Sequence, residues 1–227
     1  MTAFLWVAAI ATVIVGAVLA GQLGKKYLAK HRPYALWWTV SFALATLAAL
    51  TQLIGFAQGG FAGWDFRSYI VLSAAVPGFM GAGTIYLIWR RFGHWFLGVI
   101  WLFALIALVG AATTGLRPAL LGNVIGASAR VSNVAPGALV TLAYIVLGTL
   151  GGAALIFGAL YSWWRSRQTY NLLIALGGLV FVVADTSAGL GSGLLFFPGQ
   201  IFGMLLLYFG VAGSQEVLRS SEVTRTA

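Results

Sequence analysis

The chain has 227 residues, 61% hydrophobic and 7% charged, with a formal net charge of +9 and no cysteine. A soluble domain carries about 25% charged residues, so this composition excludes an ordinary globular enzyme and points to a membrane. Without cysteine there is no disulfide, no thiolate metal site and no cysteine nucleophile.

A membrane-crossing helix takes about 20 residues, so the chain has room for seven and for no separate soluble catalytic domain. The first predicted span is Ala3 to about Leu23, followed by Lys25, Lys26, Lys30 and Arg32. Charges that come after the apolar run favour a retained helix with its N-terminus outside. Cleavage after Val18-Leu19-Ala20 would instead leave six spans. The second span is Tyr34–Ala57, preceded by Pro33, a residue suited to a helix's first turn. Gln58–Ser68, with Trp64, Asp65 and Arg67, reads as a short polar loop before the third span, Tyr69–Trp89. A tight turn at Arg90–His94 leads to the fourth span, Trp95–Thr114. The longest connection, Leu116–Pro136, is expected to hold a short helix lying on the membrane surface. The fifth span is Ala138–Tyr161, the sixth Tyr170–Gly191 and the seventh Leu194–Gly213, with residues 214–227 as a polar cytoplasmic tail.

The fold class expected is therefore all-α: a polytopic membrane protein with seven transmembrane helices across residues 1–213. Lys and Arg set its orientation. Ten of them (Lys25, Lys26, Lys30, Arg32, Arg90, Arg91, Arg165, Arg167, Arg219, Arg225) fall on one side, and Arg67, Arg117 and Arg130 on the other. The basic side belongs in the cytoplasm, which puts the N-terminus out and the C-terminus in. Trp37, Trp38, Trp89, Trp95, Trp163 and Trp164 gather near the same ends, as an interfacial aromatic belt does. The excess positive charge is accounted for in this way, and nucleic acid is not an expected partner. The expected location is a bacterial or archaeal plasma membrane.

Two halves, residues 1–90 and 138–213, share weak marks of a three-plus-one-plus-three repeat. Gly21-x-Leu23 before a basic turn matches Gly158-x-Leu160 before Trp163–Arg167. Pro77-Gly78 with Tyr86 matches Pro198-Gly199 with Tyr208, nearly in register. In topology the chain resembles the SWEET-type sugar carriers and the microbial rhodopsins, which share a seven-helix, N-out plan. It departs from both in motif. Its Pro-Gly pairs lie in the third helix of each half rather than Pro-Gln in the first, and Leu194–Gly213 has no lysine for a Schiff base.

Asp185 is the one acidic residue within the predicted spans. An ionisable group in a membrane is costly and usually faces a bundle interior or a watery cavity. From Tyr170 it lies about 22 Å along the helix axis, in the outer third of the bilayer. Gly178, Ala188, Gly189 and Ser192 share its face, which lets a neighbouring backbone approach closely. Arg117 and Arg130 are the charge partners the outer loop offers. Gln52 and Gln200 are membrane-embedded amides that glue helices or line the same cavity. Pro77 and Pro198 each free a backbone carbonyl and permit a kink, a pointer to a midplane site. His31 and His94 have no accompanying carboxylate in their loops, so no metal or cofactor is expected. No nucleophile–base pair is present either, which argues against an enzyme. The leading expectation is a small-solute or ion carrier with an outward cavity near Asp185 and a small apolar or ionic ligand. The alternatives are a receptor or sensor, or a structural subunit that partners other membrane proteins or further copies of itself.

Overall fold

Long runs of Ala, Leu, Val and Ile with few breaking residues make extended helices. The computed structural model, which describes residues 3–123, 131–189 and 193–226, is all-α. Its long helices are α1 (Ala3–Lys30), α2 (Pro33–Ala57), α3 (Gly63–Ile88) and α4 (Arg90–Thr113), then α6 (Ala138–Ser166), α7 (Tyr170–Gly189) and α8 (Phe196–Thr226). Between α4 and α6 come a 3₁₀ turn, Pro118–Asn123, and the one-turn α5 (Val131–Val134). Much of the surface helix expected in this connection lies outside the described residues, which hold these two short pieces. Arg130 lies outside the described residues.

Six helices, α1, α2, α3, α4, α6 and α7, are long and apolar enough to cross a membrane, and the apolar part of α8, Phe196–Ala212, is shorter. Their outward surface is apolar as well. Val7, Ile14, Leu102, Leu105, Ile145, Phe157 and Val183 are all exposed. A water-soluble protein rarely shows so continuous an apolar exterior, whereas a bilayer requires one. The chain is an apolar helical bundle built for a membrane.

The helices overrun the predicted spans because nothing in the flanking polar residues stops them. Pro33 opens α2 at its first turn, behind an extended Arg32. Gly59, at φ +78°, ends the same helix in the left-handed region that glycine adopts freely. Arg90–His94 is not a turn but the beginning of α4, and Trp89 alone breaks the chain there, with φ −138° and ψ 87°. The reading of Gln58–Ser68 as a loop is likewise corrected. Gly63 starts α3, so Asp65 and Arg67 lie on a helix, and Asp65 is fully buried. Asp185 is therefore not the one acid inside the bundle. Helix α8 continues to Thr226, through most of the expected tail.

Helix α3 is the most enclosed of the spanning helices, and it packs against α2, α4 and α6. Its tightest contact is with α6. A Cβ on Gly81 would stand 2.8 Å from the Cα of Gly151, so the two backbones touch without intervening side chains. The neighbours run α1–α2–α3–α6–α7–α8 and close back from α8 to α1 in a ring. Helix α4 stands apart, packed on α3 and α6. Arg67 ties α3 to the end of α4: its guanidinium donates to the Ala111 carbonyl and, at 2.7 Å, to the Thr114 carbonyl. A cation is well placed there, because a helix's last carbonyls have no partners in their own helix.

Candidate functional site

The six-helix ring encloses a cavity of about 570 Å³, within the usual range for small-molecule sites. Every helix of the ring contributes to its wall, and α4 does not. On α6 the lining residues Ile145, Gly148, Thr149, Gly152 and Ile156 follow helical spacing, as do Gly178, Phe181, Val182, Asp185 and Thr186 on α7. Most of the wall is apolar. Thr12 from α1, Gln52 from α2, Tyr69 and Ser73 from α3, Tyr144 from α6 and Gln200 from α8 supply polar atoms.

These polar groups are not equally occupied. The Thr12 hydroxyl donates 2.8 Å to its own helix at Ala8, and Ser73 donates 3.3 Å to Ile70. The Tyr144 hydroxyl faces Ser73 and lies within electrostatic range of Asp185 and Tyr69. Gln52 differs. It is 1% exposed, and its Nε2 has no hydrogen-bond partner. A buried amide donor left unmade costs about 1–3 kcal/mol, which a ligand carrying an acceptor would recover.

Of the residues singled out from sequence, Asp185, Gln52, Gln200 and Pro77 all line this one cavity. Pro198 is absent from its lining. It is the third residue of α8, in the first turn, where a missing N–H removes no helical bond. Pro77 instead lies deep inside α3. The two prolines thus occupy different helical positions. Arg117 is exposed, and its amide donates 2.9 Å to the Val134 carbonyl.

Tyr69, Ser73 and Tyr144 were not anticipated as site residues. The available signal was spacing: Asp65, Tyr69 and Ser73 fall at i, i+4 and i+8 and form one polar stripe leading into the cavity. Asp65 heads that stripe in the first turn of α3, where the helix dipole favours an anion. Neither of its carboxylate oxygens has a hydrogen-bond partner.

The basic end of the cavity is plugged. Ala45, Met80 and Leu155 form its floor and belong to a packed cluster with Trp38, Phe42, Met204 and Leu207. Beneath that cluster is a hollow of about 10 Å³, lined by Tyr34, Trp38, Thr84, Ser162 and Asn171 among others. It has room for about one water molecule. At the opposite end Leu5, Ala9, Phe196 and Phe197 pack together with Leu53 and Phe56. The arrangement can hold a mostly apolar molecule with a small polar group. Among the described residues no group of three or more His, Asp or Glu is placed to hold a metal ion. No family model, curated protein or solved structure matches the chain.

Proposed function

We propose that the protein is a carrier for a small, largely apolar solute, with seven spans, its N-terminus outside and its basic end in the cytoplasm. The observation that supports this best is the cavity itself, enclosed by α1, α2 and α3 on one side and α6, α7 and α8 on the other. The neighbour pattern is consistent with two three-helix halves. Exchanging α1, α2, α3 for α6, α7, α8 maps each contact within a half onto one in the other, and α3–α6 onto α8–α1. Carriers built from repeats hold their substrate at the interface between them. A plug of packed side chains below the site is what such a carrier must open in order to release to the other face.

The rival readings fit less well. A sensor needs a cytoplasmic surface for a partner, yet the loops at the basic end are only residues 31–32, 89 and 167–169, which leaves it little beyond the end of α8. A purely structural subunit has no use for a cavity of this size. The absence of cysteine makes the test clean. Ser73→Cys introduces the chain's one thiol, at the cavity wall. A membrane-impermeant thiol reagent is applied to right-side-out and to inverted vesicles. A carrier is labelled from both faces; labelling from one face alone, or from neither, would overturn this reading.

A further inference from the structure

We infer that the cavity opens sideways into the bilayer between α6 and α7, and that its ligand is a hydrocarbon-tailed alcohol or carbonyl compound entering from the lipid. This rests on the cavity described above and names the class of solute it takes. The two helices touch toward the basic end, where Gly178 lies against Leu155 and Ile156. Nearer the other end they part. Ile145 and Thr149 on α6, and Val182 and Thr186 on α7, line the cavity and are also exposed. A cavity wall whose residues are exposed on two neighbouring helices is open between them. Gly148 and Gly152 border the gap, and a Cβ built on either meets no atom within 4 Å.

The ligand's head group follows from the polar atoms. The buried Gln52 Nε2 has a proton to donate and no protein acceptor, so the head brings an oxygen acceptor. Asp185 lines the cavity, and no Lys, Arg or His does so among the described residues. An anionic head would therefore enter without a cation to meet it, at membrane depth, which is prohibitive. Asp185 already has a partner of its own, and an ammonium head has no lone pair for Gln52. A neutral hydroxyl or carbonyl satisfies the amide, and the tail lies along the apolar wall of α6 and α7.

The test uses the full chain in liposomes with diazirine-bearing hexadecanol as the probe, and identifies the labelled peptides by mass spectrometry. Saturable labelling of cavity residues is expected, competed by plain hexadecanol. Filling the gap with Gly152→Trp or Gly148→Trp is expected to lower it about 10-fold, since overpacking a site typically costs a factor of that order. Gly98→Trp, at an open exposed position on α4, leaves it unchanged. Gln52→Leu lowers labelling by the alcohol. Equal labelling in both gap-filling variants overturns the lateral opening. Equal or stronger labelling by the hexadecyl sulfate or hexadecylammonium analogue overturns the head-group assignment. Labelling that never saturates means bulk lipid, and a disulfide-linked dimer of Thr149→Cys means that a second copy covers the gap; either overturns the proposal. Its failure is separable from that of the carrier reading, because two-faced labelling of Ser73→Cys is indifferent to how the ligand enters. Saturable alcohol labelling with one-faced thiol labelling would leave a membrane-ligand binding protein that does not carry.

Discussion

Gly151→Ala is expected to cost about 3 kcal/mol and to give the lowest melting temperature of any single-methyl change in the bundle. The new Cβ would stand 2.5 Å from the Gly78 amide nitrogen and against the Pro77 carbonyl, both backbone atoms of α3. Backbone cannot rotate out of the way as a side chain can. The two helices must separate, and the loss spreads to Ile100, Ala143 and Leu147, which pack in the same cluster as α3's Ala74, Ala75 and Phe79. In a bilayer the loss is direct, because helices associate there through close packing rather than by escaping water. Gly148→Ala, three residues away and facing open space, supplies the control. It is expected to be neutral or to stabilise by up to about 1 kcal/mol, since alanine is the better helix former. Thermal unfolding of the purified variants, followed by tryptophan fluorescence, measures both. Equal melting temperatures would remove the α3–α6 contact from the account.

Trp38→Ala has the second large effect, and it separates stability from gating. The indole is 1% exposed in the basic-end cluster, and Gly83 of α3 lies directly against its ring. Truncating a buried tryptophan costs about 3–5 kcal/mol through lost contacts and the cavity left behind. Trp38 also lines the small hollow beneath the plug, while Met80 and Leu155 of the same cluster form the floor of the main cavity. Its removal is expected to join the two spaces. Combined with Ser73→Cys, the variant should react several-fold faster with an impermeant thiol reagent from the basic face, with little change from the other. A melting temperature that falls with no change in reactivity would make Trp38 a packing residue alone.

Much of this fold was legible in the sequence, and the illegible part has physical causes. Hydropathy located all seven long helices, because an apolar run of about 20 residues has few other uses. It misplaced their ends. Trp64-Asp65-Phe66-Arg67 looks like a polar loop, yet Asp65 is buried and Arg67 spends its charge on the last carbonyls of α4. No reading of single residues sees a partner 44 positions away. Asp185 and Gln52 stood out because polar groups in a membrane are rare. That they line one cavity depends on which stripe of each helix turns inward, and interior and exterior alike are mostly apolar here. Tyr69 and Tyr144 were missed for the same reason. Aromatic hydroxyls are ordinary membrane residues until two helices bring them to one wall.

The carrier account requires the plug to open, and the most direct measurement of this is a distance across it. Helices α1 and α6 face one another across the ring, and Leu28 and Leu160 are exposed on them toward the basic end. A spin-label pair at Leu28→Cys and Leu160→Cys, in a chain with no other thiol, reports the separation of the two halves in liposomes. The account predicts two distance populations, a shorter one matching the packed cluster and a longer one in which it has parted, with hexadecanol shifting their ratio. A single narrow distance, unchanged by the alcohol, would contradict it.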